Sequence, residues 1–74
     1  MKFGEFRRRC DTARYDLEIY NAEGKVDSVS LDLDYWEGRA WAMKYDGAEI
    51  SRFRAGMEDV EGDRRPVLEV ELNV

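Results

Sequence analysis

Apolar and polar residues follow two different rhythms along this chain. Phe3, Phe6, Cys10 and Ala13 recur at spacings of three, four and three, which predicts a short helix over residues 2–13 with one apolar stripe. Arg7, Arg8 and Arg9 then fall off the stripe, toward solvent or its edges, and Gly4 weakens the first turn. From Arg14 the period becomes two. Tyr15, Leu17 and Ile19 alternate with Asp16, Glu18 and Tyr20, the pattern of a half-buried strand. Asn21 to Gly24 reads as a turn, with Gly24 free to take a positive φ. A second strand is expected from about Val26 to Tyr35. Val29, Leu31, Leu33 and Tyr35 share one face, and Ser28, Ser30, Asp32 and Asp34 the other. Val26 has the wrong parity, which predicts a bulge near Asp27 or a late strand start.

Gly38 marks the next turn, and Ala40 to Tyr45 reads as a third strand with Trp41, Met43 and Tyr45 on one face. Asp46-Gly47 is a hairpin signal of the primed-turn type. Glu49 to about Arg54 follows as a fourth strand without a cleanly apolar face. Residues 56–66, with Gly56, Gly62 and Pro66 among charges, read as a loop. Val67 to Leu72 is the last strand, in which Leu68, Val70 and Leu72 alternate with Glu69 and Glu71. The expectation is an α+β fold in one domain over residues 1–74. A short N-terminal helix would pack on one face of a roughly five-stranded antiparallel sheet.

Composition narrows the chemistry. The 74 residues carry 12 basic and 17 acidic side chains and no histidine, so no imidazole can act as base, acid or ligand. No serine or cysteine has a histidine to activate it, and no Gly-rich phosphate loop precedes a helix, so an enzyme is not expected. Cys10 is the single cysteine, which excludes an intramolecular disulfide and a Cys-based zinc site and points to a reducing, cytoplasmic compartment. Neither a signal-peptide pattern nor an apolar run of membrane-spanning length is evident. Asp59 to Asp63 has oxygen ligands but lacks the spacing and closing glutamate of a calcium loop. No cofactor or metal is expected. Arg7 to Arg9 suit a solvated helix face better than a nucleic-acid patch in an acidic chain.

Charge is segmented: residues 1–14 are net +3, 15–37 net −6, 38–57 net +2 and 58–74 net −4. The acids also have a phase. Asp16 and Glu18, Asp32 and Asp34, and Glu69 and Glu71 form pairs two residues apart, each opposite its strand's apolar side. In one sheet these six carboxylates share an outer face. They would be spaced about 6.6–6.8 Å along a strand and about 4.8 Å between strands. Duplex DNA presents a comparable array, with about 3.4 Å per nucleotide on each strand. The outer face of any half-buried sheet is polar, and an ordinary solvated face is the simpler account of the acids; against it, nothing basic alternates with them inside the pairs. Trp36 continues the phase of Asp32 and Asp34 and would be an exposed aromatic anchor.

The run Lys2-Phe3-Gly4-Glu5-Phe6, then Tyr15 to Tyr20 and the Glu23-Gly24 turn, resembles small phage and prophage proteins in which a short helix leads into a hairpin. Small size, acidic balance and the lack of catalytic residues are similar to anti-CRISPR proteins, several of which imitate DNA charge. The resemblance implies a phage-encoded inhibitor that binds a host nucleic-acid-handling complex, such as a CRISPR effector, in the host cytosol. The expected partner-binding residues are Asp16, Glu18, Asp32, Asp34, Trp36, Glu69 and Glu71, assigned by strand phase. Its partner would be a host protein with a basic groove, with no direct nucleic-acid binding. The alternative is a small accessory domain that binds a protein partner through a sheet edge.

Overall fold

A computed structural model describes residues 1–10 and 14–74. Helix α1 (Phe3–Arg8) leads to strands β1 (Arg14–Asn21) and β2 (Gly24–Asp32). Helix α2 (Trp36–Met43), β3 (Glu49–Val60) and β4 (Asp63–Asn73) follow. The sheet order is β2-β1-β4-β3. β1 is antiparallel to β2, β4 is antiparallel to β3, and β1 and β4 run parallel at the centre. The α+β expectation holds. The sheet, however, has four strands rather than five and is mixed rather than antiparallel. β2 and β3, at opposite edges, point the same way, so the chain must cross the sheet between them, and α2 makes that crossing.

The predicted third strand is therefore α2. Its alternation of Trp41, Met43 and Tyr45 imitates a strand, but the inward positions are Gly38, Ala42 and Tyr45, at helical spacing. Gly38 lies so close to β2 that a Cβ there would stand 2.0 Å from the Asp32 carbonyl oxygen. Asp46-Gly47 closes no hairpin and belongs to the turns after α2. The hairpin turn instead lies in the segment expected to be a loop. Glu61 (φ 52) and Gly62 (φ 87) both take positive φ between the partners Val60 and Asp63, the geometry of a two-residue primed turn. The bulge expected near Asp27 is at Val26, where the register shifts between the pairs Ile19–Asp27 and Tyr20–Lys25.

One apolar cluster forms the core. Tyr15, Leu17 and Ile19 of β1, Leu31 of β2, and Val70 and Leu72 of β4 meet Phe3 and Phe6 of α1 and Ala42 of α2. The Phe3 and Tyr15 rings pack edge to face at 5.6 Å, and Phe6 meets Phe53 at 4.9 Å. The helix is shorter than the stripe suggested: it ends at Arg8, and Ala13 lies outside the described residues. Gly4 permits close approach, since a Cβ would sit 2.9 Å from Asp46 Cβ. Arg7 does not face solvent. Its Nε and Nη2 donate to the two carboxylate oxygens of Asp46 at 2.7 and 2.8 Å, tying α1 to the segment after α2. This clamp holds the Asp46 carboxyl below the usual carboxylate range and raises Arg7.

Candidate functional site: the outer face of the sheet

Both helices cover one face of the sheet. The other face is a shallow groove of about 600 Å³, built by residues whose phase is opposite to the core. Across it run four short rows, one per strand: Ser28 and Ser30 on β2, Asp16 and Glu18 on β1, Glu69 and Glu71 on β4, and Arg52 and Arg54 on β3. The register aligns them. Asp16 is opposite Ser30 and Glu69, and Glu18 is opposite Ser28 and Glu71. Arg54 is opposite Glu69, and Arg52 is opposite Glu71.

Four of the six predicted carboxylates are thus brought together by the parallel β1–β4 pairing, on adjacent strands about 4.8 Å apart. Like charges opposite one another destabilise a sheet, and the flanking strands offset this. Ser30 Oγ donates to Asp16 Oδ1 at 2.7 Å and Ser28 Oγ to Glu18 Oε1 at 3.3 Å. Lys25 Nζ lies 2.5 Å from Glu18 Oε2. Arg52 Nη2 donates to Glu71 Oε1 at 2.6 Å, and Arg54 Nε to Glu69 Oε2. The Arg54 guanidinium holds the Glu69 carboxyl below its ordinary range, and Glu18 raises Lys25. Both arginines remain open to solvent, with side chains 77% and 79% exposed, so they can be displaced or shared. The basic row could not be seen in the sequence. The bulge at Ser51, between Ile50 and Arg52, shifts the phase of β3 and sends Arg52 and Arg54 outward.

Asp32, Asp34 and Trp36 do not join the array. Asp32 has the outer phase but belongs to an ionic network beside the groove. Arg14 Nη1 donates to its Oδ2 at 3.0 Å, and Arg14 Nε donates to Glu58. Val67, which shares the phase of Glu69, is buried outside the main core cluster. Asp34 lies past the end of β2, and its backbone N–H donates to Asp32 Oδ1 at 3.0 Å. This side-chain turn stops the strand. Trp36 opens α2, 67% exposed and off the sheet. Strand phase misplaced Asp34 and Trp36 because it presumes an unbroken strand to Tyr35, whereas Asp32 keeps the outer phase and is drawn aside by Arg14.

Among the described residues no group of three or more His, Cys, Asp or Glu side chains converges to hold a metal ion. The array is spread along two strands and suits an extended partner better than a point cation. Among the described residues no helix is long and apolar enough to cross a membrane. No protein-family model matches the chain, and comparison with curated proteins and with solved structures gives no match.

Proposed function

We propose that this chain is a binding protein that engages a basic protein surface through the outer face of its sheet. The carrying observation is the register of β1 with β4, which sets Asp16 beside Glu69 and Glu18 beside Glu71 in one open groove. A partner lysine or arginine row can enter between the β1 and β4 carboxylates and take over the places of Lys25, Arg52 and Arg54. The partner class that fits is a host nucleic-acid-handling complex whose phosphate groove accepts an ordered row of acids, as an anti-CRISPR-type phage inhibitor would use it. Catalysis is not part of the reading. A carboxyl that acts as an acid near neutral pH needs its proton affinity raised, whereas that of Glu69 is lowered. Lining the groove are four acids and two arginines, so its formal charge is −2. Removing the arginines therefore strengthens the field.

The test is capture from bacterial lysate at low salt and at about 0.5 M salt, where surface charge is screened, with mass spectrometry of what is retained. Four proteins are compared: wild type, D16N/E18Q/E69Q/E71Q, R52S/R54S and D34N. The expected result is a nucleic-acid-handling complex lost in salt and in the quadruple variant, retained by D34N, and enriched by R52S/R54S. A partner held equally by wild type and quadruple variant in both salts overturns the acidic-face reading. A second reading, an edge-paired partner, is favoured by β3. It is an edge strand of 12 residues whose outer side, among the described residues, is bonded by Met1 as far as Ile50.

A further inference from the structure

β3 is an edge strand of the sheet, with β4 on its inner side. Among the described residues β1 meets β4 from Leu68 to Asn73, and β3 pairs with β4 along nearly its whole length. Along the same edge, Phe53 and Met57 are large apolar side chains 57% and 53% exposed. Native edges are commonly blunted by charges. Here the charges are of both signs and sit at separated places, Arg52 and Arg54 near one end and Glu58 and Asp59 near the other.

The hydrogen-bond phase of the edge can be read from Pro66. Proline has no N–H, so the pair Met57–Pro66 cannot exchange both ladder bonds. Val60 and Asp63 flank the two-residue turn and form a bonded pair, so by alternation Met57–Pro66 is a non-bonded pair, and Met57 directs its own N–H and C=O away from β4. By alternation so do Phe53, Ala55 and Asp59. An antiparallel strand added at this edge must set its bonding residues opposite these odd-numbered positions.

We infer that the occupant of this edge is β3 of a second copy, paired antiparallel about a two-fold axis at Ala55. The inference rests on the edge reading of β3 and not on the acidic face. In this register Ala55 faces Ala55 of the second copy, Phe53 faces Met57, and Arg52 faces Glu58. Each of the last two contacts occurs twice. The apolar pairs fall on the helix side of the sheet and the ion pairs on the groove side. A two-fold axis at Arg54 would instead set arginine against arginine, and one at Gly56 would set Phe53 against Asp59. The bonded stretch runs over residues 51–59, which starts where the Met1 contact at Ile50 ends. Two four-stranded sheets become one of eight. Phe53 already rests on Phe6, so Met57 of the second copy would add a sulfur contact to an anchored ring.

Sedimentation equilibrium of the full chain from about 5 to about 500 µM tests this, because self-association depends on concentration. Wild type is expected to move toward twice its 8.7 kDa mass. Ala55→Pro is expected to stay monomeric, because it removes an N–H aimed at the free edge while leaving the β4 ladder intact. Should that variant fail to fold by circular dichroism, Ala55→Cys in a Cys10→Ala background decides. The two-fold pair puts the two Cα atoms about 5.5 Å apart, within disulfide reach, so mild oxidation should give a covalent dimer. Ser51→Cys, which faces Asp59 and not itself, should give none. A wild-type monomer throughout, or equal cross-linking at both positions, overturns self-pairing. If Ala55→Pro also leaves capture of a lysate partner unchanged, the edge reading falls with it.

Discussion

Gly38→Ala is a sharp test of how α2 is seated. In an exposed helix the change would stabilise by about 1 kcal/mol, because alanine is the better helix former. Here the added Cβ would stand 2.0 Å from the Asp32 carbonyl oxygen and 2.8 Å from its carbon. Both atoms are backbone, so no side chain can swing away. Ordinary contact requires about 3.4 Å or more, so α2 must retreat from β2 by more than an ångström. That retreat loosens Ala42, which is fully buried in the core. Overpacking of this kind costs about 1–3 kcal/mol, sometimes more. With the helix gain set against the upper part of that range, the net loss is about 2 kcal/mol. A chain of 74 residues holds about 4–11 kcal/mol in total, and the melting point should fall by about 8–16 °C. Urea and thermal unfolding followed by far-ultraviolet circular dichroism measure it. Gly47→Ala serves as control, since nothing lies within 4 Å of its Cβ. A melting point for Gly38→Ala equal to or above wild type would refute the contact.

Asp46→Asn should cost about 1–2 kcal/mol through loss of the charge-assisted clamp to Arg7. Because the folded Asp46 carboxyl is held below its ordinary range, the clamp contributes fully above the unfolded value and is lost as pH falls through the folded one. The stability gap between wild type and variant, measured by urea titration, should therefore close in acid. Tyr15→Phe removes a buried hydroxyl that, among the described residues, makes no hydrogen bond of ordinary geometry and has the weakly polar Cys10 thiol as its neighbour, so stability near neutrality should be unchanged or up to about 1 kcal/mol higher. Burial, aided by Cys10, pushes the wild-type phenol up to about 12. A raised folded value means stability intact below the unfolded value near 10 and lost as pH rises toward 12. Alkaline unfolding curves should show that loss reduced in Tyr15→Phe.

Strand β1, the body of β2 and the end of β4 were legible because one face of each is buried and period two survives in the sequence. The bulge at Val26 was legible for the same reason. α2 was not, because glycine and alanine supply its contact with β2, and neither adds to an apolar stripe. The β3–β4 hairpin was missed because Glu61 takes a positive φ usually left to asparagine, aspartate or glycine. Sequence phase assigned Asp16, Glu18, Glu69 and Glu71 to one face correctly, yet it could not show that they are neighbours. That follows from β4 inserting between β1 and β3, a contact between residues about 50 positions apart.

Arg52 belongs to both surfaces, and this makes the two readings separable. On the groove side it neutralises Glu71, so its removal should strengthen attraction for a basic partner. At the edge it faces Glu58 of the second copy, so its removal should weaken self-pairing. One substitution is thus expected to move the two binding events in opposite directions. Glu58 sharpens the contrast, because it is already held by Arg14, which also holds Asp32. An incoming Arg52 therefore meets a carboxylate fixed in place rather than one that must be ordered, and less side-chain entropy is lost. Asp16 and Glu18 lie on β1, with β4 between them and β3. Self-pairing at β3 therefore leaves the acid rows uncovered, and a dimer would present two of them on one continuous face to a long basic partner.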